Sequence, residues 1–216
     1  MRSKVKICGI TTPEALVAAL SAGADAAGFV FFPPSPRALL PDQAQGLAAR
    51  APHLLKVGLF VDADDALLED AVAAGQLGAL QLQGSEGPAR VAELKARFGL
   101  PVWKAVGVKA AADIRAAERA FGGADLLLLD AKPPEGSSLP GGNGLRFDWR
   151  ILLEARPAMA SSTSQAALGS PATSTTRSAG IRRRHAWARS LPFMSGRPRS
   201  VISTSVPGAS AANASD

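Results

Sequence analysis

The sequence predicts an α/β protein whose parallel sheet is built from repeated strand–helix units. Short apolar segments alternate with helix-forming segments six times in the first 150 residues, at a repeat of about 20–30 residues. The apolar segments are mostly continuous runs without the alternation of a half-exposed strand, as expected of parallel strands that are buried on both faces.

Capping residues, prolines and glycines mark the ends of the individual elements. The first helix follows Thr12, a favourable cap, with Pro13 at its first position and Glu14 in its first turn. The predicted strands are Val5–Cys8, Ala26–Phe32, Leu55–Val61, Ala79–Gln83, Val102–Val106 and Leu126–Asp130. The predicted helices are Pro13 to about Ala22, Pro41–Ala51, Asp64–Ala74, Pro88–Phe98 and Ala111–Phe121; four of them end at a glycine.

Polar residues at the strand ends favour a (β/α)8 TIM barrel over a doubly wound sheet. Neither GxGxxG nor GxxxxGK[ST] follows the first strand, which argues against a dinucleotide or P-loop fold. Polar residues instead follow several strands: Cys8, Arg37, Gln83 and Asp130. Barrels build their active sites from the ends of many strands. We therefore predict a barrel in which about six βα units are recognisable.

The charged residues divide the chain into two parts. Residues 1–154 carry 16 Lys and Arg against 17 Asp and Glu, a net charge of −1, whereas residues 155–216 carry 8 arginines against Asp216 alone, a net charge of +7. The second part is rich in Ser, Thr, Ala, Arg, Pro and Gly, a composition typical of disorder. We predict a barrel portion over residues 1–154 and an atypical, basic, disordered tail over residues 155–216.

Composition excludes several classes of protein. The 216 residues are enough to bury a sizeable core. No apolar run approaches the roughly 18 residues of a membrane span, and the start, MRSKVKICG, leads at once into strand-like sequence and not into a signal peptide. The single cysteine allows no internal disulfide. These features predict a soluble cytoplasmic protein without a membrane partner.

Six segments of the first 150 residues share their order and spacing with one enzyme family. They are VKICGIT (Val5–Thr11), AAGFVFFPPSPR (Ala26–Arg37), KVGLFVD (Lys56–Asp62), LQLQGSE (Leu80–Glu86), LLLLDAK (Leu126–Lys132) and GGNGLRFDW (Gly141–Trp149). On these segments, over about residues 4–153, the chain resembles phosphoribosylanthranilate isomerase, the barrel enzyme of tryptophan biosynthesis.

The resemblance implies an isomerase that uses neither metal nor cofactor. The reaction is an Amadori rearrangement of N-(5-phosphoribosyl)anthranilate to 1-(2-carboxyphenylamino)-1-deoxyribulose 5-phosphate, an aldose–ketose interconversion. Cys8 matches the family's general base, Asp130 its general acid, and Arg37 the arginine that holds the anthranilate part of the substrate. Family members occur as monomers and as homodimers, so the resemblance leaves both states open.

The resemblance also implies substrate contacts at two further places. Gln83 stands where the family more often has histidine, and it keeps the capacity for hydrogen bonding. The glycines Gly141 and Gly142 would let backbone N–H groups approach a phosphate.

The residue types agree with this chemistry. Opening a ribose ring needs an acid that protonates the ring oxygen, and moving hydrogen off C2′ needs a base within contact distance. Lys6 lies two residues before Cys8 and therefore on the same strand face. A nearby ammonium group would favour the thiolate, which is the form that a base requires.

Each candidate residue also has an ordinary structural interpretation. A lone cysteine in an apolar strand is more often a packing residue, Asp130 can cap the next loop, and Arg37 can be a solvated charge. The loop Gly141–Gly144 can be a flexible connector. The matching segments favour the functional interpretation. His53 and His185 lie outside these segments, and we do not expect them to be catalytic.

The last third of the chain departs from the family. The family continues with two more βα units, whose GGL-type and SSGVE-like loops bind the substrate phosphate, and neither segment occurs here. Six strands alone would leave two sheet edges unpaired. We therefore expect this chain to fold poorly and to isomerise slowly or not at all. A frameshift near Leu153 would explain the departure, and SPATSTTR (Ser170–Arg177) permits a family pattern in another reading frame; the alternative is a genuine basic extension on a truncated barrel.

Two other functions remain open beside the isomerase. The tail carries three consecutive arginines, Arg182–Arg184, and Trp187, which could hold nucleic acid by charge and stacking. We favour the isomerase, because a frameshifted GC-rich gene would yield arginines without selection for binding. The other alternative is a catalytically silent relative of the barrel enzyme.

Overall fold

The computed structural model describes residues 4–132, 148, 150–159, 185–187 and 199–202. Six strands and six helices make up the first part of the chain. The strands are β1 (Lys4–Cys8), β2 (Ala26–Val30), β3 (Leu55–Phe60), β4 (Ala79–Leu82), β5 (Val102–Val108) and β6 (Leu126–Ala131). The helices are α1 (Pro13–Ser21), α2 (Pro41–Ala49), α3 (Asp65–Gly75), α4 (Pro88–Phe98), α5 (Ala111–Ala120) and α6 (Arg150–Met159).

The six strands are parallel neighbours in sequence order, which confirms the predicted barrel architecture. Every strand lies at its predicted position, with ends that differ by two residues or fewer. Local chemistry explains the agreement at the first helix, where the Thr12 hydroxyl accepts a hydrogen bond from the Ala15 N–H at 3.2 Å. At the fourth, Gly99 takes the left-handed conformation with φ +63°.

The end of α3 differs from the prediction that Gly75 stops this helix. Gly75 is the last helical residue, and Gln76 takes the left-handed position with φ 46°. Packing explains the glycine, because a Cβ atom at Gly75 would stand 2.9 Å from Leu77 Cδ2. The glycine therefore provides room for a side chain and is not the cap.

Two short strands close the sheet between β6 and β1. β8 (Arg199–Ile202) runs parallel to β6, and β7 (His185–Trp187) runs antiparallel to both β1 and β8. The expectation of two unpaired sheet edges is therefore wrong, because both edges have a hydrogen-bonded partner. The arrangement still departs from eight parallel strands in sequence order. The expected boundary after residue 154 falls inside α6.

The side chains pack in two layers on either side of the strands. The outer layer joins the strands to the helices and includes Phe31 and Phe60, whose rings stack with centroids 5.3 Å apart. The inner layer fills the barrel with Ala26, Val57, Ala79, Trp103, Ala105, Leu126 and Leu128. Successive side chains of a strand point to opposite faces. Polar residues two positions beyond an inner residue therefore point into the mouth of the barrel at the carboxyl ends of the strands.

Candidate active site

Cys8 lies at the carboxyl end of β1, half-buried and on the inner face. It shares this face with Lys6, which is fully enclosed inside the barrel. Its neighbour in the sheet is Gly28 of β2. A Cβ atom at Gly28 would stand only 2.8 Å from the Cys8 Sγ atom. The glycine therefore provides the space that the thiol occupies.

Asp130 lies at the carboxyl end of β6, two residues after the inner-layer residue Leu128. This places its carboxyl group on the inner face, as for Cys8. Burial raises the pKa of Asp130 to about 6, and the Ala131 N–H, which donates a hydrogen bond at 2.9 Å to Oδ1, opposes this rise. A carboxyl group with such a pKa is partly protonated near neutral pH, which is the state that a general acid needs.

Arg37 is brought to the same mouth by the connection after β2. This connection is held by a hydrogen bond of 2.8 Å from the Leu39 N–H to the Val30 carbonyl. The arginine side chain crosses the backbone of Gly9, the residue after Cys8, where a Cβ atom would stand 2.7 Å from Arg37 Cδ and 2.9 Å from Nη1. Gly9 also has a φ of +78°, so this position favours glycine for two independent reasons. The guanidinium group thus lies beside the strand end that carries the thiol.

Gln83 follows β4 and belongs to a hydrogen-bonded chain that crosses the barrel. The Lys6 ammonium group donates to Gln81 Oε1, and Gln81 Nε2 donates to Gln83 Oε1 at 2.8 Å. Gln81 is buried, and Gln83 is half-buried at the mouth. The backbone of Gln83 is held by its N–H, which donates to the Phe60 carbonyl at 2.8 Å.

Lys6 is a buried amine in this chain. Burial lowers the pKa of Lys6, and the negative charge of a Cys8 thiolate partly opposes that shift. The Lys6 Nζ atom lies 5.7 Å from the centroid of the Trp103 ring, a cation–π distance.

A second buried network, which the sequence analysis missed, fixes the loop after Gln83. Lys104 and Glu86 form an ion pair of 2.8 Å in which each side chain is about 5% exposed or less. Lys104 also donates to the Gly84 carbonyl at 2.6 Å, and Glu86 accepts a hydrogen bond from the Asp62 N–H at 2.8 Å. The sequence feature that could have indicated this network is Lys104, a lysine in the middle of an apolar strand. Its partner lies 18 residues away, and only the register of the strands brings the two together.

The candidates Gly141 and Gly142 lie outside the described residues. His53 is exposed in the connection that enters β3, at the opposite end of the barrel. His185 begins β7. Within the described ranges, no three His, Cys, Asp or Glu side chains are close enough together to hold a metal ion, and no described helix is long and apolar enough to cross a membrane.

Comparison with known proteins points to a single family. The model of the family described as N-(5'phosphoribosyl)anthranilate (PRA) isomerase matches residues 5–163. The chain is 56% identical over 153 residues to N-(5'-phosphoribosyl)anthranilate isomerase of Paracoccus denitrificans, covering 70% of this chain and 71% of the relative. The protein of the same name from Paramagnetospirillum magneticum is 52% identical over 153 residues, with the same shares covered.

Solved structures agree with the sequence relatives. The crystal structure of phosphoribosyl anthranilate isomerase from Thermotoga maritima matches with a TM-score of 0.62 and 37% identity, over 72% of this chain and 73% of that one. A structure of a phosphoribosyl anthranilate isomerase in complex with reduced 1-(o-carboxyphenylamino)-1-deoxyribulose 5-phosphate matches with a TM-score of 0.60 and 32% identity, over 72% of this chain and 71% of that one. The family match, the identities and the shared barrel together establish that this chain belongs to the phosphoribosylanthranilate isomerase family.

Proposed function

We propose that this member of the family uses Asp130 as the general acid and Cys8 as the general base of the Amadori rearrangement. The observation that carries the proposal is their common placement on the inner face, at the carboxyl ends of β1 and β6, together with the raised pKa of Asp130. In a curved sheet, groups on two such strands face one substrate from different sides.

The reaction opens the ring first. Protonated Asp130 gives its proton to the ribose ring oxygen while the bond from that oxygen to C1′ breaks, and the lone pair of the anilino nitrogen forms the C1′=N⁺ bond. The Cys8 thiolate then removes the proton from C2′; the electron pair of that C–H bond forms the C1′=C2′ double bond while the π pair of the C1′=N⁺ bond returns to nitrogen, which gives a neutral enolamine. Tautomerisation of the enolamine to the ketone gives the product. Proton transfers of this kind contribute roughly 10²–10⁴-fold each.

Recognition of the anthranilate carboxylate belongs to Arg37. Its guanidinium group is half-buried against Gly9, and a guanidinium group can bind a carboxylate through two parallel hydrogen bonds. In the proposed binding mode, the aromatic part of the substrate lies beside β1 and C2′ comes within reach of the thiol. Gln83 supplies a hydrogen bond to the substrate from β4, and Gly141 and Gly142 are proposed to offer backbone N–H groups to its phosphate.

Cys8→Ser and Asp130→Asn test these assignments. Turnover of N-(5-phosphoribosyl)anthranilate is followed by the fluorescence of its anthranilate group. We expect both variants to lose at least 100-fold in kcat, while the matched control His53→Ala, at the opposite end of the barrel, keeps the parent rate. Equal rates for the parent and either catalytic variant would contradict the assignment of that residue.

The activity of the chain as it stands is expected to be low. Neither of the family's phosphate-binding segments occurs after residue 150, and binding of a remote phosphate helps to position the reacting sugar. The experiment compares kcat/KM with that of a relative carrying both segments, and equal values would overturn the expectation. The nucleotide sequence over codons 145–216 decides between a frameshift and a genuine extension. Complementation of a tryptophan auxotroph that lacks this isomerase tests the catalytically silent alternative.

The remaining proposals concern partners and location. We propose a cytoplasmic enzyme that acts as a monomer or a homodimer; one related structure is of monomers generated from the dimeric enzyme of Thermotoga maritima. Sedimentation equilibrium distinguishes the two states. Nucleic-acid binding by the arginine-rich tail is the disfavoured alternative. Salt-dependent retention on heparin that vanishes when residues 155–216 are removed would support it.

A further inference from the structure

Lys6 is a buried lysine that has no contact with substrate in the proposed reaction. Among the described residues, it begins the one chain of side-chain hydrogen bonds that leads from the interior of the barrel to its mouth. Lys6 Nζ donates to Gln81 Oε1, and Gln81 Nε2 donates to Gln83 Oε1 at 2.8 Å. Lys6 and Gln81 are almost fully enclosed, whereas Gln83 is half-buried.

Hydrogen-bond polarity fixes the direction of this chain. Lys6 Nζ donates to the oxygen of the Gln81 amide, and in its charged form it has three donors and no acceptor, so it cannot accept a hydrogen bond from the Gln81 NH₂ group. The Gln81 NH₂ group must then face Gln83, where only the side-chain oxygen can accept its hydrogen bond. The NH₂ group of Gln83 is thereby left without a partner among the described side chains, at the half-buried end of the chain.

We propose that Lys6, acting through Gln81, is a positioning residue that holds the Gln83 amide with its NH₂ group presented to the substrate as a hydrogen-bond donor. The substrate group that fits this donor is an acceptor oxygen of the phosphosugar adduct. The inference deepens the proposed function and rests on it for the identity of the ligand. The orientation of the amide is a property of the free protein.

Gln81→Glu reverses the polarity with a minimal change of shape. A carboxylate still accepts from Lys6 but cannot donate to Gln83, so the Gln83 amide must turn and present its oxygen. Lys6→Met instead removes the donor and leaves both amide orientations accessible. Gln83→Ala removes the presented group altogether and serves as the background for double-mutant cycles.

Amide resonances test the orientation without any ligand. In ¹⁵N-labelled protein, we expect the Gln83 side-chain NH₂ protons to exchange rapidly in the parent chain. In Gln81→Glu, we expect one of them to shift downfield and become protected, because it then donates to the carboxylate. Unchanged Gln83 amide signals in Gln81→Glu would overturn the proposed orientation, whatever the catalytic activity of the chain.

Binding of reduced 1-(o-carboxyphenylamino)-1-deoxyribulose 5-phosphate, measured by calorimetry, tests the role toward substrate. We expect Kd to rise roughly tenfold in Gln83→Ala, the loss of about one hydrogen bond, and at least as much in Gln81→Glu.

In the Gln83→Ala background, Gln81→Glu and Lys6→Met should each change Kd less than twofold. Equal losses in both backgrounds would overturn the positioning role, since a merely structural defect does not depend on Gln83. Failure of the parent chain to bind this ligand, with the amide signals switching as expected, would count against the proposed function and leave the orientation standing.

Discussion

The substitution Asp130→Asn is expected to abolish catalysis and to stabilise the protein at neutral pH. Burial raises the pKa of this carboxyl group from 3.8 to about 6. Between these values the unfolded chain releases the proton while the native protein retains it, so stability falls as the pH rises. At about 1.36 kcal/mol for each pKa unit, the total loss is on the order of 3 kcal/mol. An amide does not ionise and escapes this loss.

Urea unfolding of both proteins at pH 4, 5, 6, 7 and 8 measures the difference. We expect the two free energies of unfolding to approach one another near pH 4, and the asparagine variant to gain roughly 3 kcal/mol by pH 7 with no further gain at pH 8. Asp70→Asn, which removes an exposed carboxylate from α3, is the matched control for the loss of one negative charge. A difference that stays constant over the whole range, or that grows toward low pH, would refute the reasoning, because it would mean that Asp130 titrates no higher in the native state than in the unfolded chain.

Three further substitutions test the packing around the site. Gly28→Ala places a methyl group 2.8 Å from the Cys8 Sγ atom, and the displaced thiol should cost roughly 100-fold in kcat with little effect on KM. Gly9→Ala combines a strained φ of +78° with a clash against Arg37; we expect a loss of about 1–3 kcal/mol in unfolding experiments and a raised KM. Lys104→Met leaves a buried carboxylate unpaired, so urea unfolding should show a loss of about 3–5 kcal/mol.

Gly46→Ala is the common control for these variants. It lies in α2 with no atom within 4 Å of the added methyl group, and alanine is the better helix former, so stability should rise slightly. A fall in kcat for Gly46→Ala as large as that for Gly28→Ala would show that the thiol contact is not the cause. Unchanged KM in Gly9→Ala, or unchanged stability in Lys104→Met, would contradict the contacts on which those two expectations rest.

The sequence could predict the six strands and the first five helices because their signals are local, whereas α6 was not predicted. Apolar runs mark the strands, and capping residues such as Thr12 and Gly99 mark helix ends within a few residues. The prediction that Gly75 caps its helix was wrong, because close packing against Leu77, and not a left-handed backbone, requires this glycine. The strands β7 and β8 were not predicted either, because their pairing joins segments that lie far apart in the chain and their composition does not indicate it.

In the candidate site, too, some residues could be predicted from local sequence and others could not. Cys8 and Asp130 were predictable, because their place at a strand end and the alternation of side chains already determine the face on which they lie. The residues that form hydrogen bonds and ion pairs around the site could not be predicted. Gln81 is 75 residues from Lys6, and Glu86 is 18 residues from Lys104. Lys104 and Glu86 meet because β4 and β5 are neighbouring strands, whereas Lys6 on β1 and Gln81 on β4 meet across the interior of the barrel.

The contact between Arg37 and Gly9 has a consequence for protein engineering. The proposed acid and the proposed base lie on strands of the barrel, whereas the group proposed to recognise the aromatic acid lies on the connection between β2 and α2. Loops tolerate exchange better than the strands that support them. Libraries restricted to this connection should therefore alter which amine-linked aromatic group is accepted, while the proton-transfer groups stay in place. On the proposed assignment, proton transfer and substrate selectivity would depend on different parts of the barrel.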